Sequence, residues 1–545
     1  MGARFALILG GITISFVGII FRLYDLQLNE GTYYFAQAKQ QSTLSNMKSS
    51  RRGTIYFVDK DGKKFSASVN KEFPEIYVDS SQIEDKQEVA SAISIIADIT
   101  REEALKKLST SNEYVSIIKK ASNAQIEKAG DLGQKGIFVR NYSSRSYPLG
   151  NLFSQALGFV GPDSKQSADT GRSGLEKFYN EKLSGVSQKK SENESEAEIL
   201  LGGEDLLIGI DLNVQKEAEL VLAKLVANSK SDSGTVIVQD PKTGKIVAMG
   251  SLPNFDPNNY SASKMDSYMN PAVEKVYEPG SVFKVLTMSA GIDSGKITPD
   301  TTYNDTGSVK LSGYTIRNWD GKAHGKVTMT NIIEKSLNTG TVYAERLIGN
   351  TIFTDYIKKF GFGEKTGVDL PAEVRGDLRN INPKSVAVAF ANAAFGQGVS
   401  VTPLQMINAI SAIANGGSLM RPYFNLELGS EEIRRVMSED TAKKVTAMMV
   451  SAVDKGKLAS IEGYSIAGKT GTAQVPDLKK GGYTDRVIDT YIGFAPASDP
   501  KFTILIKIDE PEGSPLAGET VVPAFRDLAK FLLQYYSVPP DRINN

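Results

Sequence analysis

The sequence predicts an α+β fold in which helices pack on an antiparallel sheet, preceded by a separate N-terminal domain and one membrane-spanning helix. Three observations predict this fold. The runs TVIVQD and KIVAM, joined by the turn PKTG at residues 241–244, are typical of a β-hairpin. FTILIKI at Phe502–Ile508 adds a late strand, and Val521–Tyr535 has the pattern of a closing amphipathic helix. Strand pairs flanked by helices, without repeated βαβ units, indicate an antiparallel sheet.

The first element is an uncharged run, FALILGGITISFVGIIF at Phe5–Phe21, which is as long as the shortest membrane-spanning helices. A cleaved signal peptide is one alternative, although the run exceeds an ordinary signal core and RLYDLQLNEG after it has no small-x-small cleavage site. A buried core helix is the other alternative. We expect an uncleaved anchor with most of the chain on one side, although the balanced flanking charges set its orientation only weakly.

The N-terminal domain is expected to begin with a strand, because Tyr56 and Val58 lead into the Asp61-Gly62 dipeptide of a hairpin turn. Residues 84–130, rich in Ala, Ile, Lys and Glu, predict short amphipathic helices. Residues 186–198 have no large apolar side chain apart from Val186 and predict a solvated linker. The predicted divisions are 1–28 for the short tail and anchor, 29–204 for the N-terminal domain with its linker, and 205–545 for the C-terminal domain.

The C-terminal domain is predicted to open with a helix. Asp211 is a good N-cap residue. The apolar side chains that follow recur at helical spacing and would form one buried face. They are Val214, Ala218, Val221, Leu222 and Leu225.

Composition excludes several classes of functional site. The 545 residues include no Cys, which rules out disulfides, Cys-zinc sites, Cys-ligated clusters and a thiol nucleophile. The single His, His324, rules out a multi-His metal site within one chain and leaves at most one Ser-His-Asp triad. If the chain is a hydrolase or transferase, its general base is expected to be Lys, Asp or Glu. Lys and Arg together number 63, as do Asp and Glu, which argues against nucleic-acid binding. No metal or cofactor is expected.

Three short motifs occur in order: Ser281-Val282-Phe283-Lys284, Ser336-Leu337-Asn338 and Lys469-Thr470-Gly471. Each motif alone is weak, because Ser-x-x-Lys should occur about twice by chance in a chain of this length. Decoys are present, including Ser116 with Lys119, and Lys-Thr-Gly recurs at Lys242 and Lys365. The context of each copy must therefore select among them.

The context of Ser281 favours a catalytic reading over that of an ordinary capping serine beside a solvated lysine. Pro279-Gly280 precedes it and a helix-forming run, VFKVLTMSAGI, follows it. Ser281 would then lie at a helix N-terminus with Lys284 one turn later on the same face. The amine would be within reach of the hydroxyl, and it could act as a base if burial or a neighbouring cation lowered its pKa.

The context of Lys469 separates it from the other two copies of Lys-Thr-Gly, which lie in turns or loops. In SIAGKTGTAQV a strand would place Lys469, Gly471 and Ala473 on one side and Thr470 and Thr472 on the other. Glycine there would let a substrate backbone approach the strand closely. The lysine and the two hydroxyl groups could bind a carboxylate.

The ordered motifs resemble the active-site signature of the penicillin-binding proteins and serine β-lactamases. Longer stretches are similar to the class B penicillin-binding proteins, which are monofunctional peptidoglycan transpeptidases. In the N-terminal half, RRGTIY and GRSGLEKFYNEKLSG resemble the non-catalytic pedestal (dimerisation) domain of that family, which is an extended one. The form EPGS before Val282 is similar to the cell-division branch. The longer stretches are YEPGSVFK, NTGTVYAERL, FGFGEKTGVDLPAE, AFGQGVSVTPLQMINAISAIANGG and AGKTGTAQ.

This resemblance implies a role for each matching position. Ser281 would be acylated by the penultimate D-Ala carbonyl of a stem peptide ending in D-Ala-D-Ala, and Lys284 would take its proton. Ser336 would relay a proton to the leaving D-Ala, while Asn338 would hold Lys284 and a substrate amide. Lys469 would add positive charge, Gly471 would belong to the substrate-binding strand, and Thr470 and Thr472 would bind the terminal carboxylate. The backbone N–H groups of Ser281 and Thr472 would form the oxyanion hole.

The resemblance also implies partners and leaves alternatives. The expected partners are peptidoglycan stem peptides, β-lactam antibiotics, division proteins and a membrane glycosyltransferase of the shape, elongation, division and sporulation family. The protein would be a single-pass protein of the bacterial cell membrane with its catalytic domain outside.

A D,D-carboxypeptidase or β-lactamase is one alternative, although no Glu-x-x-Leu-Asn deacylation motif precedes Lys469 and Glu373 does not match one. A β-lactam sensor or a silent division scaffold is another. His324 is read as a loop residue, and Trp319 as a residue that packs near the site or lines the cleft.

Overall fold

A computed structural model describes residues 52–109, 114–162, 169–185, 202–477, 479–513 and 516–542, together with the isolated positions Gly10, Phe16, Ile19 and Tyr24. The predicted anchor at residues 5–21 otherwise lies outside the described residues, and so does the predicted linker at 186–198. Among the residues that are described, no helix combines the length and the apolar character that crossing a membrane requires. The anchor and the linker therefore stay predictions.

The chain divides into two compact units. One comprises residues 1–53, 162–168 and 181–204, in which the Gly53 N–H donates to the Leu183 carbonyl at 2.7 Å. The other comprises residues 54–161, 169–180 and 205–545 and contains every residue of the site described below.

The first part of the chain combines a long hairpin sheet with short helices. Strand β2 pairs antiparallel with β1, β3 and β4, and β1 also pairs in parallel with β7. The predicted strand and turn near Asp61 are confirmed, and helices occur within residues 84–130 as expected. The elements are β1 Ile55–Val58, β2 Lys64–Asp79, α1 Lys86–Ala97, α2 Arg101–Leu108, β3 Tyr114–Ile118, α3 Asn123–Leu132, β4 Ile137–Ser146, α4 Ser154–Leu157, β5 Val160–Pro162, β6 Asp169–Gly171, α5 Gly174–Phe178 and α6 Asn180–Ser184.

The expectation of helices alone over residues 84–130 is wrong at one point, because β3 interrupts them. The sequence YVSII at Tyr114–Ile118 is rich in β-branched residues, which favour a strand. It pairs with the end of β2, and Val115 packs into the cluster formed by α1 and α2. Pairing with a distant strand therefore overrides the helical pattern on either side.

The rest of the chain is built on a five-stranded sheet with helices on both faces. Its elements are β7 Leu206–Ile208, α7 Leu212–Ser229, β8 Ser233–Gln239, β9 Ile246–Leu252, α8 Pro271–Glu274, α9 Lys284–Asp293, β10 Thr302–Asp305, β11 Ser308–Leu311, β12 Tyr314–Arg317, β13 Gly325–Thr328, α10 Met329–Lys335, α11 Asn338–Ile348, α12 Asn350–Lys359, α13 Ala387–Ala394, α14 Pro403–Ala414, β14 Ser418–Met420, β15 Glu432–Arg435, α15 Glu439–Gly456, β16 Ala467–Pro476, β17 Tyr483–Ala495, β18 Phe502–Asp509 and α16 Val521–Tyr535.

The sheet has the strand order β16-β17-β18-β8-β9, and every neighbouring pair is antiparallel. The predicted α+β class with an antiparallel sheet is therefore confirmed, as are the hairpin of β8 and β9, the strand β18 and the closing helix α16. The order leaves β16, which carries Lys469, at one edge of the sheet.

Helices α7 and α16 cover one face of the sheet and α14 covers the other. Asp211 caps α7 by accepting hydrogen bonds from the backbone of Asn213 and Val214, as expected. The core between these two helices and the sheet includes Val236 and Ile506, which are opposite each other on β8 and β18 and lie on the same face of the sheet. Helix α14 is buried along its whole length, and its polar side chains Gln405, Asn408 and Ser411 are hydrogen-bonded within the fold. The inner strands β8 and β18 are thus buried almost along their whole length and support the strands toward the edge at β16.

Candidate active site

Ser281 lies in a short 3₁₀ turn, Gly280–Phe283, that leads directly into α9. Gly280 adopts a φ of +57°, a conformation that glycine permits without strain. The backbone N–H of Lys284 donates to the carbonyl of Ser281, so the two motif residues are one tight turn apart. The predicted placement of Ser281 at a helix N-terminus, followed by Lys284, is confirmed.

Lys284 is fully buried, and its ammonium group is surrounded by oxygen acceptors. Its Nζ lies 2.6 Å from the Ser336 carbonyl, 2.7 Å from Asn338 Oδ1 and 3.3 Å from Ser336 Oγ. No described carboxylate forms an ion pair with it. Burial, and then repulsion from Lys469, lower the pKa of Lys284 well below its usual value. A neutral amine near neutral pH is the state that a general base needs.

Ser336 and Asn338 are held at the junction of two helices. Ser336 ends α10 in the left-handed region, with a φ of 57°. Such a backbone is uncommon for a residue other than glycine and is found at active sites. It turns the Ser336 carbonyl toward Lys284, while α11 begins at Asn338. Asn338 Nδ2 donates to the Arg317 carbonyl at 2.9 Å, which fixes the amide so that its oxygen faces Lys284.

Lys469 approaches Ser336 from the edge strand β16. Its Nζ lies 3.1 Å from Ser336 Oγ, 3.1 Å from the Thr470 carbonyl and 3.2 Å from Thr470 Oγ1. The residue is only 4 % exposed, and burial lowers the pKa of Lys469 to about 7. The Ser336 hydroxyl therefore bridges two buried amines, which is the arrangement that a proton relay requires.

The Ser281 hydroxyl makes no hydrogen bond to any residue in the described ranges. All three protons of a charged Lys284 are already directed at Ser336 and Asn338. A contact between Lys284 and Ser281 thus requires that the amine lose a proton or release its longest hydrogen bond, to Ser336 Oγ. Catalytic hydrogen bonds commonly tighten only when substrate is bound.

Gly471 lies against the turn that carries Ser281. A Cβ added at Gly471 would lie 2.8 Å from the Pro279 carbonyl oxygen and 3.1 Å from Val282 Cγ1. The glycine is therefore required for the approach of the Ser281 turn to β16. The sequence predicted that this glycine would let a substrate backbone approach the strand, whereas the structure shows that the Ser281 turn approaches it.

The edge of β16 also directs a backbone donor toward the Ser281 turn. A Cβ on Gly280 would lie 3.1 Å from the Thr472 carbonyl oxygen, so this carbonyl points toward the turn. The N–H and C=O of one strand residue point to the same edge. The Thr472 N–H therefore points off the sheet on the side where Ser281 lies.

The alternation predicted for this strand is observed. Lys469, Gly471 and Ala473 are buried, whereas Thr470 and Thr472 are partly exposed. The decoy copies of the motif have structural roles: Lys242 lies in the β8–β9 turn with its N–H on Asp240, and the loop around Lys365 is held by Glu373.

Sequence reasoning missed one group of contacts around the nucleophile turn. Glu278, three residues before Ser281, accepts hydrogen bonds from the Gly398 N–H at 2.9 Å and from the Tyr483 hydroxyl at 3.0 Å. The side chain is buried and joins the turn, the loop after α13 and strand β17. The only signal for it was its place in the EPGS stretch.

The two remaining residues singled out from the sequence lie close to this site or to its supporting loops. Trp319 is 64 % exposed, and its indole N–H donates to the Lys335 carbonyl, next to Ser336. It is near the site, as expected, but it is not packed. His324 lies in the loop before β13 with its Nε2 3.0 Å from Asp320 Oδ2, which agrees with its reading as a loop residue.

Comparison with known proteins accounts for this geometry. The chain matches the penicillin-binding protein transpeptidase domain over residues 234–530 and the penicillin-binding protein dimerisation domain over residues 47–200. The chain belongs to the class B penicillin-binding proteins. Stage V sporulation protein D of Bacillus subtilis is 32 % identical to this penicillin-binding protein, over 92 % of this chain and 82 % of the relative.

Two further relatives have names that state an activity or a ligand. The peptidoglycan D,D-transpeptidase FtsI of Escherichia coli is 27 % identical over 99 % of this chain and 93 % of its own length. The crystal structure of penicillin-binding protein 3 from Mycobacterium tuberculosis, complexed with aztreonam, has a TM-score of 0.69 at 27 % identity, over 90 % of this chain and 98 % of that one. This penicillin-binding protein therefore has the penicillin-binding transpeptidase fold with an N-terminal dimerisation domain.

Proposed function

We propose that this chain cross-links peptidoglycan by acyl transfer through Ser281, and that β-lactams acylate the same residue. The observation that carries the proposal is the meeting of two buried lysines at Ser336, next to the turn that presents Ser281. Family membership supplies the reaction class, and the named relatives support the substrate. The assignment of each residue rests on the contacts above.

In the acylation step, the Ser281 oxygen attacks the carbonyl carbon of the penultimate D-Ala of a stem peptide. Neutral Lys284 takes the serine proton, which its lowered pKa permits near neutral pH. The negative charge that develops on the carbonyl oxygen is stabilised by the N–H groups of Ser281 and Thr472. The C–N bond to the terminal D-Ala then breaks, and the proton passes from Lys284 through the Ser336 hydroxyl to the leaving amine.

The substrate is held on two sides. The charge of Lys469 and the hydroxyl of Thr470 bind the terminal carboxylate, since both lie on the edge strand beside Ser336. Asn338 fixes Lys284 and offers its amide to the substrate backbone. The amine of a second stem peptide then attacks the acyl-enzyme, returns its proton through the same relay and frees Ser281.

Hydrolysis of the acyl-enzyme, as in a carboxypeptidase or β-lactamase, is the competing reaction. Glu373, the carboxylate considered for a deacylation role, is occupied elsewhere. It accepts hydrogen bonds from the backbone of Thr366 at 2.7 Å and of Gly367 at 3.2 Å. It therefore stabilises a loop, which favours slow deacylation and transfer to an amine.

The cellular setting is also part of the proposal. We infer that the uncharged run at residues 5–21 anchors the chain as a single-pass protein of the cell membrane, with the catalytic domain outside. The resemblance of the EPGS stretch to the cell-division branch supports a role in septal wall synthesis, with a glycosyltransferase of the shape, elongation, division and sporulation family as partner. Release of the protein from membranes by carbonate at pH 11, without detergent, would contradict the anchor.

The function is tested by incubating the purified protein with nascent uncross-linked glycan strands that carry pentapeptide stems. The expected products are cross-linked muropeptide dimers and free D-Ala in equal amounts. Ser281→Ala should yield neither product. Release of D-Ala without dimers would identify a carboxypeptidase, and dimers formed by the Ser281→Ala variant would refute the assignment of the nucleophile.

A further inference from the structure

Asp489 lies directly behind the carboxylate-binding strand. It occupies β17 opposite Thr472 of β16 in the register of the two strands, and it is completely buried. Its Oδ1 accepts a hydrogen bond from Thr472 Oγ1 at 2.9 Å, and its Oδ2 accepts one from Thr520 Oγ1 at 2.7 Å. Thr520 immediately precedes α16. Burial raises the pKa of Asp489, and the hydrogen bonds from Thr520 and Thr472 oppose that rise.

The hydroxyl of Thr472 has no proton left for a substrate. A threonine hydroxyl donates one hydrogen bond, and both oxygens of Asp489 accept from threonine hydroxyls, so the Thr472 proton is directed at Asp489. The backbone N–H of Ala517 also donates to Thr472 Oγ1, at 3.2 Å, and occupies one of its lone pairs. Any further ligand of this oxygen would have to be a donor, and a carboxylate is not one.

Thr470 lies two residues earlier on the same face of β16, and its hydroxyl group accepts a hydrogen bond and donates none to the described residues. Its Oγ1 accepts a hydrogen bond from Lys469 Nζ at 3.2 Å, so Lys469 leaves the hydroxyl proton unused. No residue in the described ranges accepts that proton. Of the two threonines, Thr470 alone has a free donor.

We propose that Asp489 is a specificity-determining residue that withholds the Thr472 hydroxyl from the terminal carboxylate of the acyl donor. The carboxylate is then held by Thr470 and Lys469, while Thr472 contributes its backbone N–H to the oxyanion hole. This inference rests on the proposed function and goes beyond it, since it separates two hydroxyl groups that the motif treats alike.

The inference predicts that removing Asp489 raises the preference for carboxylate-ended donors. In Asp489→Ala the Thr472 hydroxyl is free to turn toward the ligand. One hydrogen bond to a charged group corresponds to about a tenfold change in relative rate. The preference for a carboxylate over a neutral end should therefore increase by about tenfold.

The test compares two thioester donors of D-alanine whose leaving groups end in a carboxylate or in a carboxamide. The readout is the ratio of their kcat/KM values, because a change that merely damages the fold lowers both values and leaves their ratio unchanged. Asp489→Ala should raise the ratio about tenfold. Thr472→Val, which keeps the backbone N–H, should leave the ratio within about twofold of wild type, whatever happens to kcat. The double variant should match Thr472→Val, and Thr470→Val should lower the ratio.

The outcomes separate this inference from the proposed function. A fall in the ratio of about tenfold in Thr472→Val would show that its hydroxyl binds the carboxylate, and would overturn the inference even if Asp489→Ala failed to fold. An unchanged ratio in a folded Asp489→Ala protein would overturn it as well. If neither donor acylates the wild-type protein at Ser281, the proposed function fails, and this inference fails with it.

Discussion

Replacing Gly471 by alanine should separate the nucleophile turn from the edge strand. The added methyl carbon would lie 2.8 Å from the Pro279 carbonyl oxygen, 3.1 Å from Val282 Cγ1 and 3.3 Å from the Val282 nitrogen. Favourable contacts of such atoms lie near 3.5 Å, so the turn and β16 must move apart by about 0.5 Å. A misplacement of about 1 Å at a reacting centre can cost about 100-fold in rate, which is the upper limit for this smaller displacement, and overpacking costs about 1–3 kcal/mol in stability.

The assay is the second-order rate constant for acylation by a fluorescent penicillin, measured together with the thermal unfolding midpoint. We expect Gly471→Ala to be acylated about 10- to 100-fold more slowly than wild type. Gly130→Ala is the matched control, because that glycine lies in α3 with no atom near the added carbon. It should acylate normally and be as stable as wild type or slightly more stable. Wild-type acylation by Gly471→Ala, at an unchanged midpoint, would refute the close approach of strand and turn.

Two further predictions concern buried charges. Lys284→Ala should slow acylation by about 10²- to 10⁴-fold while the protein stays folded by circular dichroism, because the general base is lost; a loss of less than tenfold would contradict the role of Lys284. Burial raises the pKa of Glu219 from 4.5 to about 7, so the folded state binds this proton more tightly than the unfolded chain does and stability falls as the pH rises between these values. Glu219→Gln should therefore raise the free energy of unfolding by up to about 3 kcal/mol at pH 8 and leave it nearly unchanged at pH 4. An equal effect at both values would contradict the assignment of this titration to Glu219.

Local patterns predicted the parts of the site that depend on neighbouring residues. Ser281 and Lys284 are three residues apart at a helix start, so their proximity follows from helical geometry alone. Lys469 and Thr470 follow the alternation of a single strand, and the small and β-branched residues around them mark that strand in the sequence. The order of the three motifs then indicated the family, and with it the fold.

Contacts between distant segments could not be predicted in this way. Asp489 meets Thr472 only through the register of β16 on β17, and a shift of one residue would turn one of these side chains to the other face. Glu278 reaches Tyr483 and Gly398 because three separate segments meet there. The carbonyl of Ser336 faces Lys284 because a non-glycine residue takes a left-handed conformation, for which the sequence holds no signal.

The central claim is that Ser281 is the residue acylated in a site whose base is Lys284. The most direct measurement is mass spectrometry of peptides from the full-length protein after reaction with a penicillin. We expect one adduct, with the mass of the intact penicillin, on the peptide that contains Ser281, and no such adduct in Ser281→Ala. An adduct on any other serine, or one that persists in the variant, would contradict the central claim.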